Sequence, residues 1–125
     1  MKKGYNGYLI PENERSKLLS AFPPKYSKVM AHHITHKFKV KGELPPPADM
    51  AKVIGYADSG DGLEVLVVEI NGSASRPEDE TLYHITLSLD PSKYKPKDSN
   101  TLLKNQGYKN INPLLIKVEP KFFPF

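Results

Sequence analysis

The stretch DSGDGLEVLVVEI at residues 58–70 decides the fold class, because it joins a tight turn to a strand that is apolar on both faces. Residues 58–62 combine two glycines with aspartate and serine, which are the residue types that favour tight turns. Residues 63–70 are almost continuously apolar and mostly β-branched, which predicts a central strand buried on both sides. A shorter apolar run at residues 53–57 precedes the turn, so the two runs predict a β-hairpin.

The same reasoning predicts further strands on either side of this hairpin. They occupy residues 5–10, 27–40, 81–89 and 114–118. Residues 11–22 predict a helix, with a proline and two glutamates in its first turn and Pro23-Pro24 after its end. A shorter helix is predicted at residues 99–106, and we expect the three phenylalanines of residues 122–125 to pack back onto the body. Strands outnumber helices, so residues 1–125 predict a single α+β domain.

Composition limits the classes of function. The chain has 125 residues, no cysteine and a net charge of +4. Disulfides, thiolate catalysis and cysteine zinc sites are therefore excluded, and a mild positive charge favours an anionic ligand. Neither a signal peptide nor a membrane-length apolar run is present, so we expect a cytoplasmic monomer with no membrane or protein partner.

Two segments share the tripeptide His-Ile-Thr, and each lies in a predicted strand. They are AHHITHKF at residues 31–38 and LYHITLSL at residues 82–89. Side chains alternate between the two faces of a strand, so His33 and Thr35 point to one side, and His84 and Thr86 do the same. If the two strands face a common cleft, that cleft contains two imidazoles and two hydroxyls.

This set of groups suits phosphodiester chemistry. Histidine titrates near neutral pH, so one ring can act as a general base and the other as a general acid. The threonine hydroxyls would donate hydrogen bonds to the non-bridging phosphate oxygens as charge develops there. This chemistry requires neither a metal ion nor a cofactor.

The paired His-x-Thr strands resemble the 2H phosphoesterase superfamily, whose members carry two motifs of the form His-Φ-Ser/Thr-Φ, where Φ is apolar. The motif at residues 84–87 matches at every position, whereas the motif at residues 33–36 ends in His36 instead of an apolar residue. The resemblance implies a bilobed fold with pseudo-twofold symmetry and antiparallel strands around a central cleft. It also implies His33 and His84 as the acid–base pair and Thr35 and Thr86 as phosphate ligands.

The implied substrate is a nucleotide phosphodiester. Members of the superfamily open 2′,3′-cyclic phosphates at RNA ends or cleave cyclic nucleotide messengers, the latter in phage enzymes that act against host immunity. A role in RNA repair or processing is the first interpretation, and degradation of a cyclic nucleotide signal is the second. For a phage-encoded protein the compartment would be the host cytoplasm.

Three more residues are candidates for substrate binding. Strand alternation places Lys37 on the face of His33 and Thr35, and Ser88 on the face of His84 and Thr86. Tyr83 could stack on a base. For each of these residues an ordinary structural role, as a solvated lysine, a strand serine or a core tyrosine, remains open.

Three other interpretations of the motifs remain. The histidines could be structural, although the repeated tripeptide argues against this. His32, His33 and His36 could bind zinc, but in a strand His32 and His36 would be about 13 Å apart. The cleft could also bind a nucleotide or an RNA end without turnover.

Overall fold

The protein folds into two antiparallel sheets and two helices, as seen in a computed structural model that describes residues 3–77 and 81–125. The α+β class predicted from the sequence is confirmed. The helices are α1 (Glu12–Ala21) and α2 (Asp98–Gln106). The strands are β1 (Gly4–Leu9), β2 (Lys28–Val29), β3 (His33–Val40), β4 (Met50–Asp58), β5 (Leu63–Glu69), β6 (His84–Leu89), β7 (Lys109–Lys117) and β8 (Glu119–Pro124).

The smaller sheet has the strand order β3-β1-β8, and the larger sheet has the order β2-β6-β5-β4-β7. The predicted hairpin is confirmed, because β4 and β5 pair antiparallel around the glycine turn. As predicted, β5 is the central strand of the larger sheet and is buried along almost its whole length. The two-lobed, pseudo-twofold arrangement implied by the resemblance stays a prediction.

The main hydrophobic core lies between the two sheets and includes residues of α1. Tyr8 and Ile34 enter it from the smaller sheet, Leu66 and Ile85 from the larger sheet, and Leu18 from α1. A second, smaller core lies against α2 and contains Leu103 together with apolar residues of β4, β5 and β6. The larger sheet is therefore covered on both faces, whereas the smaller sheet contributes to the main core with one face.

The strand predicted at residues 27–40 is interrupted in the structure. Ala31 has a positive φ of 63° and is fully buried. The backbone nitrogens of Met30 and Ala31 donate to β6, whereas the carbonyl oxygen of His32 accepts from Ile10 beside the smaller sheet. Between β2 and β3 the chain thus passes, within a few residues, from the edge of the larger sheet to the edge of the smaller sheet.

The end of the chain forms two strands where the sequence predicts one at residues 114–118. Pro113 lies within β7, and Pro120 and Pro124 lie within β8. Proline lacks an amide hydrogen and is tolerated in edge strands, and both β7 and β8 are edge strands. The phenylalanine tail returns to the body as expected, through pairing of β8 with β1.

Candidate active site

The four residues of the two His-x-Thr pairs line one pocket. His33 and Thr35 come from β3, His84 and Thr86 come from β6, and the cavity has a volume of about 140 Å³. The two rings are also close enough to interact electrostatically, because the charge of His84 helps to lower the pKa of His33. The structure therefore brings together both imidazoles and both hydroxyls that the sequence singles out.

Burial of the residues between each pair explains the orientation of the motifs. Ile34 and Ile85 are fully buried in the main core, so the polar side chains on either side of them must point away from that core. The crossing at Ala31 places β3 next to β6, which aligns the two outward-facing pairs. Gly7 lies opposite Thr35, and a Cβ atom there would lie 2.0 Å from the carbonyl oxygen of Ile34. Only glycine permits this close approach of β1 and β3.

The His84 ring is oriented by the backbone. Its Nδ1 atom lies 3.0 Å from the carbonyl oxygen of Leu82. Because a carbonyl oxygen only accepts, Nδ1 carries the hydrogen, and Nε2 is the atom that exchanges protons. The His33 ring is held differently, by tilted contacts with Tyr5 and Phe123 at centroid distances of 5.3 and 5.4 Å.

Both rings are neutral in the free protein at neutral pH. Burial lowers the pKa of His33 to about 4, with further lowering by the charges of His32 and His84. Burial also lowers the pKa of His84, and the charge of Arg76 adds to this effect, whereas the hydrogen bond to Leu82 opposes it. A bound anion would stabilise the protonated form of either ring.

The N-terminal end of α2 also borders the pocket. The Thr86 Oγ1 atom lies 2.9 Å from Oγ of Ser99, a fully buried residue in the first turn of α2. Lys97 and Asn100 line the same pocket, and helix N-termini favour anions. Within residues 3–77 and 81–125, the buried Oδ1 atom of Asn100 has no hydrogen-bond partner.

Arg76 is a pocket residue that the sequence did not indicate. Its side chain is only 4% exposed and lines the cavity beside His84. A guanidinium group is a strong donor to phosphate oxygens, so Arg76 can contribute both charge and hydrogen bonds. The residue lies in the polar loop after β5, where no strand or helix period predicts the direction of a side chain.

Lys37 does not line this pocket, so the prediction from strand alternation is wrong. In the pairing of β3 with β1, Gly7 lies opposite Thr35 and Asn6 opposite Lys37, so His36 is an extra residue in a β-bulge. A bulge reverses the alternation beyond it. Lys37 therefore lines a separate cavity with His36, and Phe38 takes its place in the pocket of His33.

The prediction for Ser88 is wrong for the same reason. Val65 pairs with Thr86 and Glu64 with Ser88, so Leu87 is an extra residue in β6. Ser88 is fully buried, and its hydroxyl donates to Oε1 of Glu64 at 2.5 Å. Each His-Ile-Thr tripeptide is thus followed directly by a bulge residue, which ends the polar face after the threonine.

Tyr83 is also not a pocket residue. It is 3% exposed within the main core, and its hydroxyl lies 2.7 Å from Nδ1 of His36, with the two rings stacked. Tyr83 is therefore a core tyrosine in the structure. His36 faces a different cavity from His32 and His33, and no three metal-ligating side chains cluster among residues 3–77 and 81–125.

No protein-family model, curated protein or solved structure matches the chain. The likeness to the 2H phosphoesterases consequently depends on the two motifs and the arrangement of their side chains. In the described part of the chain, neither helix has the length and apolar character needed to cross a membrane.

Proposed function

We propose that the protein is a metal-independent phosphodiesterase of the 2H type, which hydrolyses or opens a nucleotide phosphodiester. The observation that carries this proposal is the convergence of His33, Thr35, His84 and Thr86 on one pocket. A 2′,3′-cyclic phosphate, on a mononucleotide or at an RNA end, is the first substrate class. A cyclic nucleotide or oligonucleotide signal is the second.

The reaction would proceed by acid–base catalysis at phosphorus. One imidazole removes a proton from water as the water oxygen bonds to phosphorus. The other imidazole donates a proton to the departing ribose oxygen as its bond to phosphorus breaks. The net result is the addition of one water molecule across the phosphodiester, and the two rings exchange their protonation states.

The negative charge that develops on the phosphate oxygens would be stabilised by donors around the pocket. The Thr35 and Thr86 side chains, Arg76 and residues at the start of α2 line the pocket and would provide these donors. Such preorganised donors act strongly where water is largely excluded. The hydroxyl of Thr86 can donate to a phosphate oxygen while it accepts from Ser99.

Turnover of defined substrates tests the proposal. The purified protein would be assayed with 2′,3′-cyclic mononucleotides, oligonucleotides ending in a 2′,3′-cyclic phosphate, and cyclic di- and trinucleotides, with and without a chelator. We expect at least one substrate to be cleaved, the chelator to have no effect, and His33→Ala or His84→Ala to reduce kcat by about a hundred- to ten-thousand-fold. His36→Gln is a matched control, because His36 lies on β3 but faces the other cavity.

A non-catalytic role is the second candidate, because both imidazoles are neutral in the free protein. Such a pocket could bind a nucleotide or an RNA end without transferring a proton. Binding of a substrate in the absence of any turnover would establish this role. Turnover that is unaffected by His84→Ala would refute the proposed catalytic site.

A further inference from the structure

Four aromatic rings cover the face of the smaller sheet beside His33. Tyr5 stacks on Phe123 at a centroid distance of 4.8 Å, and it makes tilted contacts with Phe38 at 5.5 Å and Phe125 at 6.3 Å. Tyr5 and Phe123 also contact the His33 ring itself. We call the set of Tyr5, Phe38, Phe123 and Phe125 the aromatic platform.

Strand register explains why these rings share one face. Tyr5 of β1 lies directly opposite Phe38 of β3 and Phe123 of β8, and residues that lie opposite each other in a sheet point to the same side. The bulge at His36 is what turns Phe38 towards this side. The other side of β1 carries Tyr8, which is fully buried in the main core.

The platform remains partly open to solvent. Phe38 is 51% exposed and Phe125 is 70% exposed, and exposed apolar patches of this kind commonly mark binding sites. It is also continuous with the candidate active site, because Phe38 lines the pocket and the Tyr5 and Phe123 rings contact His33. A ligand whose phosphate occupies the pocket would therefore extend onto the platform.

We propose that the aromatic platform binds the nucleobase of the substrate whose phosphate lies between His33 and His84. This inference rests on the proposed function and specifies its substrate class as a nucleotide with an accessible base. The ribose of a nucleotide connects phosphate and base over a short distance, which suits a platform that borders the phosphate pocket. Base–aromatic stacking is known to accept any base, since every base has a π-face.

The chemistry of the platform also predicts its selectivity. Three of the four rings are phenylalanines, which form no conventional hydrogen bonds. The platform would therefore discriminate poorly between bases by the polar groups on their edges. The Nζ atom of Lys121 lies 5.9 Å from the centroid of Phe123, which adds a positive charge beside the platform. We therefore expect little preference among the four bases and a clear preference for nucleotides over sugar phosphates that lack a base.

The test compares two substrates on three proteins. The substrates are cytidine 2′,3′-cyclic monophosphate and methyl ribofuranoside 2′,3′-cyclic phosphate, which lacks the base. The proteins are wild type, Phe38→Ala and the matched control Leu115→Ala, since Leu115 on β7 is also 51% exposed but lines a different cavity. Binding would be measured by calorimetry and turnover by product formation, and sedimentation would report the oligomeric state.

Phe38 also lines the phosphate pocket, so its loss can affect both substrates. We expect Phe38→Ala to raise the Kd and KM for the cytidine substrate about tenfold more than it raises those for the base-free substrate. Equal effects on both substrates, or none on either, would overturn the platform while leaving any observed turnover as support for the phosphodiesterase. A change in oligomeric state in Phe38→Ala would instead identify the platform as a contact between copies of the chain and would also overturn the inference. If wild type neither binds nor cleaves the cytidine substrate, the inference fails for 2′,3′-cyclic phosphates, and the proposed function is refuted if no other substrate of the panel is cleaved either.

Discussion

The Nδ1 atom of His84 lies 3.0 Å from the carbonyl oxygen of Leu82, two residues earlier in the chain. The carbonyl accepts this hydrogen bond whether the imidazole is neutral or protonated. The ring can therefore gain or lose a proton at Nε2 without a change in its orientation. This is the property that a group alternating between acid and base requires.

We predict that kcat/KM is highest on the acid side of neutrality. The reaction needs one neutral and one protonated imidazole, and the pKa values of His33 and His84 are both lowered from 6.5, that of His33 to about 4. The fraction of protein with a single proton on the pair is largest between these lowered pKa values and falls as the pH rises above them. Initial rates measured from about pH 4 to about pH 9 would give the profile.

The same measurement contains an internal comparison. A bound phosphate anion raises the pKa of both rings, so the maximum of kcat should lie at a higher pH than the maximum of kcat/KM. A kcat/KM that continues to rise above neutrality would contradict the assignment of these two histidines.

Stability should decrease on acidification because of His33. Its pKa is about 4 in the folded protein, against an ordinary value of 6.5. Between these values the unfolded chain binds the proton more tightly, so the free energy of unfolding falls as the pH falls from 6.5 to about 4. We predict that His33→Gln loses less stability than wild type over this range, as measured by urea denaturation. The two proteins should show parallel behaviour above pH 6.5, and an equal loss in both below it would reject burial as the cause.

The bulges explain which site residues could be predicted from the sequence. His33, Thr35, His84 and Thr86 follow strand alternation over three residues, which a local pattern can predict. Lys37 and Ser88 lie beyond the bulges at His36 and Leu87, which exist only in the pairing with β1 and β5. Such a register shift depends on distant parts of the chain, so alternation continued past the threonine gives the wrong face.

Tertiary contacts also account for the other differences between the sequence-based predictions and the structure. The buried carboxylate of Glu64 accepts hydrogen bonds from the Ser88 hydroxyl, the Tyr56 hydroxyl and the backbone of Lys25. Glu64 lies in a strand that the sequence predicts to be apolar on both sides, and nothing near it in the chain indicates these partners. By contrast, the β4–β5 hairpin and both helices are predicted correctly, because turn residues and helix-end signals act locally.

The contact between Thr86 and Ser99 predicts coupled effects on catalysis. The Ser99 side chain is fully buried and its hydroxyl contacts the Thr86 hydroxyl, so Ser99 acts as a positioning residue. We predict that Ser99→Ala lowers kcat by a few-fold to about tenfold, that Thr86→Val lowers it more, and that the double variant resembles Thr86→Val alone. A double-mutant cycle in kcat measures this coupling. Independent, multiplicative losses would mean that Ser99 affects the site in some other way than through Thr86.

Arg76 provides a prediction that separates charge from packing. Its charge contributes to the lowered pKa of His84, and its buried side chain borders the phosphate pocket. Removing the charge in Arg76→Met should therefore raise the pKa of His84, move the maximum of kcat/KM to higher pH, and weaken the binding of inorganic phosphate. Titration of the histidine ring signals by NMR would measure the pKa directly.

Arg76→Lys is the matched control, since it keeps the positive charge while losing the paired donors of the guanidinium. It should leave the pKa of His84 close to that of wild type and still bind phosphate less tightly. If the pKa of His84 stays unchanged in a folded Arg76→Met variant, the guanidinium exerts no electrostatic influence on the catalytic pair.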